Sequence, residues 1–221
     1  MPIYITDTVE QIREKACTEL AKQLNFKVNA NINKMVNEVK LAVLQFFRNT
    51  EIYKSISGDD NRGLDAQFGI PVGTGQNRVE KIIQTFVNTI TYSFTPFRYS
   101  NGKYLGEIKI FGIRADFQDI LSLDEGITEN KGQALHWLKW LLLEGDSVII
   151  DNYHVAFGSF GGSRSGKALM FKNGSWKIIP SSYSGTIQDN WITREIISES
   201  GDHTPQIKSL MTNIFEKYLG Q

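Results

Sequence analysis

The chain has 221 residues, a mass of 25.0 kDa, 24 Lys and Arg against 24 Asp and Glu, and one cysteine, Cys17. Zero net charge argues against a protein whose main work is gripping bare phosphates, which normally shows a strong basic excess. A single cysteine excludes an internal disulfide framework and a cysteine-rich zinc site.

The charge is even along the chain. Residues 146–221 hold seven Lys/Arg and seven Asp/Glu, which leaves 17 of each before them. A neutral chain repels its own copies little, so the balance favours self-association. The opening MPIYITDTVEQIREK has no apolar core of the kind an export signal needs. The apolar run Leu141–Leu143, with Trp137, Leu138 and Trp140 nearby, is far short of a membrane span. The expectation is a soluble protein made in the cytoplasm.

The first 55 residues read as helix. Thr6 or Asp7 is the expected cap, with Glu10 three residues after Asp7 as in a capping box. Val9, Ile12, Ala16, Leu20 and Leu24 then share one face, and Ile32, Met35 or Val36, Val39, Val43, Phe46 and Phe47 resume the pattern. Asparagine is a poor helix former, so Asn25–Asn33 predicts a break or kink. The stripe fits packing on the chain's own core or on a neighbouring subunit.

Residues 57–75 carry loop chemistry, SGDDNRG and GIPVGTG, with LDAQF between them as one helical turn. Asn77–Thr89 reads as a helix with Val79, Ile82, Ile83, Phe86, Val87 and Ile90 on one side. Ile90–Tyr99 and Tyr104–Ile113 form a hairpin about Asn101-Gly102, where both turn residues accept positive φ. Asp116–Leu123 is a short helix. Lys131–Glu144 is a helix with Leu135, Trp137, Leu138, Leu141 and Leu142 on its apolar face, closed by Gly145.

Short strands follow at Ser147–Asp151 and His154–Phe157. Ala168–Phe171 is expected to pair with Trp176–Ile179 across Lys172–Ser175, and Ile187–Ser198 and Pro205–Leu219 end the chain as helices. Strands that come in hairpins, rather than alternating with helices, define an α+β fold with an antiparallel sheet. The organisation expected is one domain over residues 1–221, with a helical segment to residue 56 and a mixed part over 57–221.

Most of the chemistry on offer is incomplete. Gly161-Gly162-Ser163-Arg164-Ser165-Gly166-Lys167 has the spacing of a phosphate-binding loop, but Ala168 stands where magnesium needs Ser or Thr. A hairpin rather than a helix follows it, so the expected reading of Gly161, Gly162, Arg164, Gly166 and Lys167 is a flexible loop, with a nucleotide- or phosphate-binding enzyme as the alternative. His136, His154 and His203 have no metal spacing, and the Asp59-Asp60-Asn61 loop lacks the glycine and closing glutamate of a calcium loop. Asp116 with Asp119 and Asp146 with Asp151 read as solvated caps rather than hydrolytic pairs. No catalytic residue, cofactor or metal is expected.

Ser165–Ile196 is the informative stretch. Trp176, Tyr183, Trp191 and Arg194 are residue types that dominate interface hot spots, although Trp176 and Trp191 suit an ordinary core equally well. Ser165, Gly166, Ala168, Leu169 and Met170, then Gly174-Ser175-Trp176, Pro180, Tyr183, Gly185-Thr186 and Asn190-Trp191-Ile192-Thr193-Arg194 form a run that resembles the neck and tail-completion proteins of tailed bacteriophages. Leu64–Pro71 followed by Arg78-Val79-Glu80 resembles a second segment of such proteins. The likeness covers residues 60–90 and 145–200 best.

This resemblance implies a structural virion protein without enzymatic activity. It implies a homo-oligomeric ring, six copies strong, that joins the DNA-filled head to the tail and surrounds the DNA channel. Its implied partners are copies of itself, a portal-side adaptor or collar protein, tail terminator or tail tube and sheath proteins, and passing DNA met without sequence preference. No membrane partner is implied. Its place is the virion neck, assembled in the host cytoplasm. Trp176, Tyr183, Asn190, Trp191 and Arg194 are the residues expected at subunit contacts.

Overall fold

A computed structural model describes residues 7–111, 117–130, 132–145, 153–173, 185–197 and 203–220. The fold is α+β, with small antiparallel hairpins and a long N-terminal helix. Helix α1 spans Val9–Arg48, α2 Glu51–Ser57, α3 Leu64–Gln67 and α4 Gly75–Asn88. Strands β1 (Thr91–Ser100) and β2 (Lys103–Phe111) follow, then α5 (Gln118–Leu121) and a 3-10 turn at Asp124–Gly126. Next come β3 (Thr128–Asn130), β4 (Gln133–Leu135) and α6 (Trp137–Leu143). Strands β5 (Tyr153–Phe157) and β6 (Ala168–Lys172) and helices α7 (Trp191–Ile197) and α8 (His203–Leu219) complete the described order.

The chain divides into two compact units. Unit 1 holds residues 1–40, 90–112 and 208–221, and unit 2 holds 41–89 and 113–207. The division falls inside α1, and each unit gathers segments distant in sequence.

In unit 1, α1 is capped at Thr8, where the sequence reading expects Thr6 or Asp7. The Thr8 N–H donates to Gln11 Oε1 at 2.8 Å and the Gln11 N–H donates to Thr8 Oγ1 at 3.3 Å. This is a capping box built on Thr8 and Gln11 rather than on Asp7 and Glu10. The expected break at Asn25–Asn33 is absent, and α1 is one helix of 40 residues. Asparagine disfavours helix when its side chain competes for nearby backbone groups. Here Asn25 is occupied elsewhere: its Nδ2 donates to Phe97 O at 2.8 Å and its Oδ1 accepts the Phe97 N–H at 2.7 Å. Asn31 Nδ2 bonds Lys27 O within the helix. Meanwhile Val28, Ile32 and Val36 are buried under Tyr92, Phe94, Phe97, Ile108 and Ile110 of the hairpin and Leu219 of α8. Burial of that stripe outweighs propensities that differ by only about 0.7 kcal/mol per residue.

The β1–β2 hairpin closes at Asn101 (φ 50°) and Gly102 (φ 76°), the two positive-φ residues the turn requires. A bulge sits between Thr95 and Arg98, where Pro96 and Phe97 oppose Gly106 alone. A proline cannot donate to a ladder, so it fits at a bulge, and the Asn25 amide satisfies the backbone groups of Phe97 that the bulge frees from pairing.

In unit 2, Val79, Ile82, Ile83, Phe86 and Val87 put one face of α4 into a core with Phe47, Ile52, Ile56, Leu64, Phe68, Ile70, Ile120, Trp137, Leu138, Leu141, Trp191 and Ile192. The helix expected over Lys131–Glu144 is shorter. Its first part is a hairpin, Thr128↔Leu135 to Asn130↔Gln133, and helix begins only at Trp137. Gly132 at φ 80° makes the reversal, a conformation that interrupts a helix. Leu135 therefore lies on a strand.

Strand β5 pairs with β6 in the register Tyr153↔Lys172 to Phe157↔Ala168. The strands expected at Ser147–Asp151 and Trp176–Ile179 lie outside the described residues.

Candidate functional site

The phosphate-loop lookalike closes the β5–β6 hairpin, and part of its backbone is tied up internally. The N–H groups of Gly158, Phe160, Ser163 and Gly166 donate to Lys167 O, Gly166 O, Phe160 O and Ser163 O. Ser163 Oγ donates to Ala168 O at 2.6 Å and lies 3.1 Å from Ser165 Oγ. A phosphate cradle needs such N–H groups convergent and free. The loop read as flexible is, in place, hydrogen-bonded to itself.

Lys167 points out of the loop. Its ammonium donates to Gly58 O at 2.7 Å, Asp60 O at 3.0 Å and Asp65 Oδ2 at 3.0 Å. These three bonds use all the donors a lysine has. The lysine therefore joins β6 to the segment between α2 and α3. Asp65 is buried, and its Oδ1 has no partner among the described residues.

Arg164 turns the other way. Its carbonyl accepts the Val72 N–H at 3.0 Å, and its guanidinium lies beside Gly69. It borders a cavity of about 450 Å³ that Gln67, Gln133, Tyr153, Ser163 and Met170 also line.

The Asn-Trp-Ile-Thr-Arg run is a helix start. Asn190 Oδ1 accepts the N–H groups of Ile192 (3.0 Å) and Thr193 (3.1 Å), and the Asn190 N–H donates to Thr193 Oγ1 at 2.8 Å. The Asn190 amide also donates to Thr186 O, and Arg194 Nε donates to Asp189 Oδ1 at 2.7 Å. Trp191 is 1% exposed. It meets Phe47 edge-on at 5.9 Å, and its Nε1–H donates to Thr50 Oγ1. The residues expected at a subunit contact thus fill the interior of their own unit in the case of Asn190 and Trp191, because a large aromatic and a fully used cap are buried there. Arg194 is half-buried and pairs with Asp189. Trp176 and Tyr183 lie outside the described residues.

The second resembling segment is equally structural. Phe68 stacks on Trp137 at 5.2 Å, and the Phe68 carbonyl accepts the Thr128 hydroxyl. Arg78 Nη1 donates to the carbonyls of Asp124, Glu125 and Ile127 at 3.3, 3.0 and 2.8 Å. Glu80 accepts from Arg48 Nε (3.1 Å), Tyr53 Oη (2.8 Å) and Gln84 Nε2 (2.7 Å).

Sequence reasoning misses this Arg48–Tyr53–Glu80 network, since separations of 27 and 32 residues carry no local signal. The bond from Arg48 holds Glu80 down at about 2, and burial together with the bond to Glu80 pushes Tyr53 up to about 12. A depressed carboxyl stabilises the fold above its unfolded value, near 4.5, and that contribution disappears as pH falls toward 2. Glu80→Gln is therefore expected to lower stability at pH 7 by on the order of 2 kcal/mol and to flatten the loss between about pH 4.5 and 2. Urea denaturation across that range checks it, and an unchanged acid slope refutes it.

Among the described residues, no group of three or more His, Cys, Asp or Glu is placed to hold a metal ion. His136 is exposed at the start of α6, and His154 stacks on Phe171 with Nδ1 3.0 Å from Asn173 O. Asp116, Asp146 and Asp151 lie outside the described residues. No described helix is long and apolar enough to cross a membrane. Comparison with protein-family models, curated proteins and solved structures finds no match to this chain.

Proposed function

We propose that this chain is a structural subunit of the neck of a tailed bacteriophage. In this reading it forms a homo-oligomeric ring that joins the DNA-filled head to the tail and surrounds the DNA channel. The observation that carries it is the resemblance over residues 60–90 and 145–200. Its two segments are far apart in sequence, yet Leu64, Phe68, Trp191 and Ile192 belong to the core of one unit. A pattern whose separated members support the same core is a pattern of fold, and fold is what a ring-forming subunit transmits. The surface is suited to assembly: Phe26 and Leu41 on α1 are each more than half exposed. The phosphate-enzyme alternative draws no support from Lys167, whose donors are occupied within the protein.

The mechanism is association. One edge of each subunit meets the next, one ring face receives the portal-side adaptor or collar, and the other receives the tail terminator or the tube and sheath. A neutral wall lets DNA slide without gripping it. Removing the gene from a phage that carries it is expected to leave full heads and free tails, and negative-stain images count them. Particles that join heads to tails without the protein overturn the proposal.

A further inference from the structure

Helix α1 carries two apolar stripes, and only one of them is covered by described residues. The buried stripe is Ala21, Val28, Ile32, Met35, Val36 and Val39. The other, Val9, Ile12, Ala16 and Leu20, is exposed throughout, with Val9 at 77%, Leu20 at 56% and Ile12 at 45%. At about 100° per residue, the centres of the two stripes lie about 140° apart around the helix. A break at Asn25–Asn33 would let both stripes turn toward one core. Because α1 is continuous, the hairpin takes the second stripe and the first is left uncovered by any described residue.

We propose that this first stripe docks on the same stripe of a second copy, antiparallel about a two-fold axis at Ala16. The stripe is self-complementary in that register. Ile12 lies level with the partner's Leu20, and Leu20 with the partner's Ile12. Ala16 faces the partner's Ala16, where a methyl group allows close approach of the two backbones. Lys15 and the partner's Glu19 fall on the same side of the pair, about 3 Å apart along its axis. Each holds only a surface ion pair in the single chain, Lys15 with Asp7 and Glu19 with Lys22, and such pairs exchange at little cost. Glu10, Glu14 and Glu19 balance Arg13, Lys15 and Lys22, so two copies of the segment do not repel. A parallel pair sets Lys15 beside the partner's Leu20 and gains no opposite charge. The contact is small, so the affinity is weak. A two-fold contact closes on itself and does not propagate a ring. The pairing therefore describes the unassembled chain and stands independently of the neck reading.

Sedimentation of the full chain over a concentration series tests it. The expected mass rises from 25.0 kDa toward twice that value. Ala16→Glu, which places two carboxylates at the axis, is expected to weaken dimerisation by about tenfold or more while leaving the melting temperature unchanged. In a Cys17→Ser background, Ala16→Cys is expected to form an intermolecular disulfide on mild oxidation, whereas Lys22→Cys, about 120° away around the helix, is not. A monomer at millimolar concentration, a dimer indifferent to Ala16→Glu, or equal trapping at both cysteines overturns the proposal. A large drop in melting temperature for Ala16→Glu also overturns it, since the stripe is then covered within the chain.

Discussion

Replacing Trp191 with alanine is expected to destabilise unit 2 by about 3–5 kcal/mol. The indole is 1% exposed and packs edge-on against Phe47, which packs in turn on Phe86 at 5.6 Å. Removing it opens a cavity among helices from three distant parts of the sequence, and aromatic pair geometry adds to the burial lost. The indole N–H is also partnered. Thr50 Oγ1 accepts it while donating to Phe47 O and accepting the Tyr53 N–H that caps α2. Trp191→Phe keeps part of the apolar contact but loses that bond and the volume of the second ring, so about 1–3 kcal/mol is expected. Urea denaturation followed by far-UV circular dichroism ranks the two variants. A loss below about 1 kcal/mol for Trp191→Ala contradicts the core assignment. Any assembly defect in Trp191→Ala is expected to follow its unfolding and to recede at lower temperature, because the residue supports the subunit from inside.

The second large effect concerns Lys167. Lys167→Ala strands the Asp65 carboxylate, buried and with one oxygen that has no partner among the described residues, and leaves Gly58 O and Asp60 O without this donor. Breaking one side of such a pair costs about 3–5 kcal/mol, largely through the charge left behind. The double variant Lys167→Ala/Asp65→Ala is therefore expected to be more stable than Lys167→Ala alone, with a coupling of about 1–3 kcal/mol in the cycle. Lys167→Arg is not expected to substitute, since a planar fork does not reproduce three convergent bonds from one nitrogen. Thermal unfolding measures all three. A nucleoside triphosphate that raises the melting temperature of the native protein but not of Lys167→Ala would return the lysine to a phosphate site and sink this reading.

These two predictions show where local sequence stops being informative. The glycine-rich spacing around Lys167 is visible in the chain, but the direction of the side chain is not. Asp65 stands 102 residues away and Gly58 stands 109 away, and only the fold brings them within reach. Trp191 was readable as core or interface with equal justice. The choice depends on Phe47 and Thr50, the latter 141 residues earlier, and no spacing rule connects them. The capping chemistry of Asn190 and Thr193 is local, and the sequence run alone reveals a helix start there.

The sequence by itself determined what depends on neighbours along the chain. The α+β class, the face of α4, the Asn101-Gly102 turn and the terminal helix all follow from periodicity and turn preference acting over a few residues. Tertiary structure alone decided what depends on burial. It kept α1 continuous through its asparagines, because Asn25 bonds Phe97 across the bulge and Val28, Ile32 and Val36 are covered. It shortened the helix before Glu144, because Gly132 reverses the chain into a hairpin. It also separated the two stripes of α1, since a rigid helix fixes the angle between them. Local preferences of a few tenths of a kcal/mol are reliable only until a buried stripe, a paired carboxylate or a bulge held from afar offers several times more.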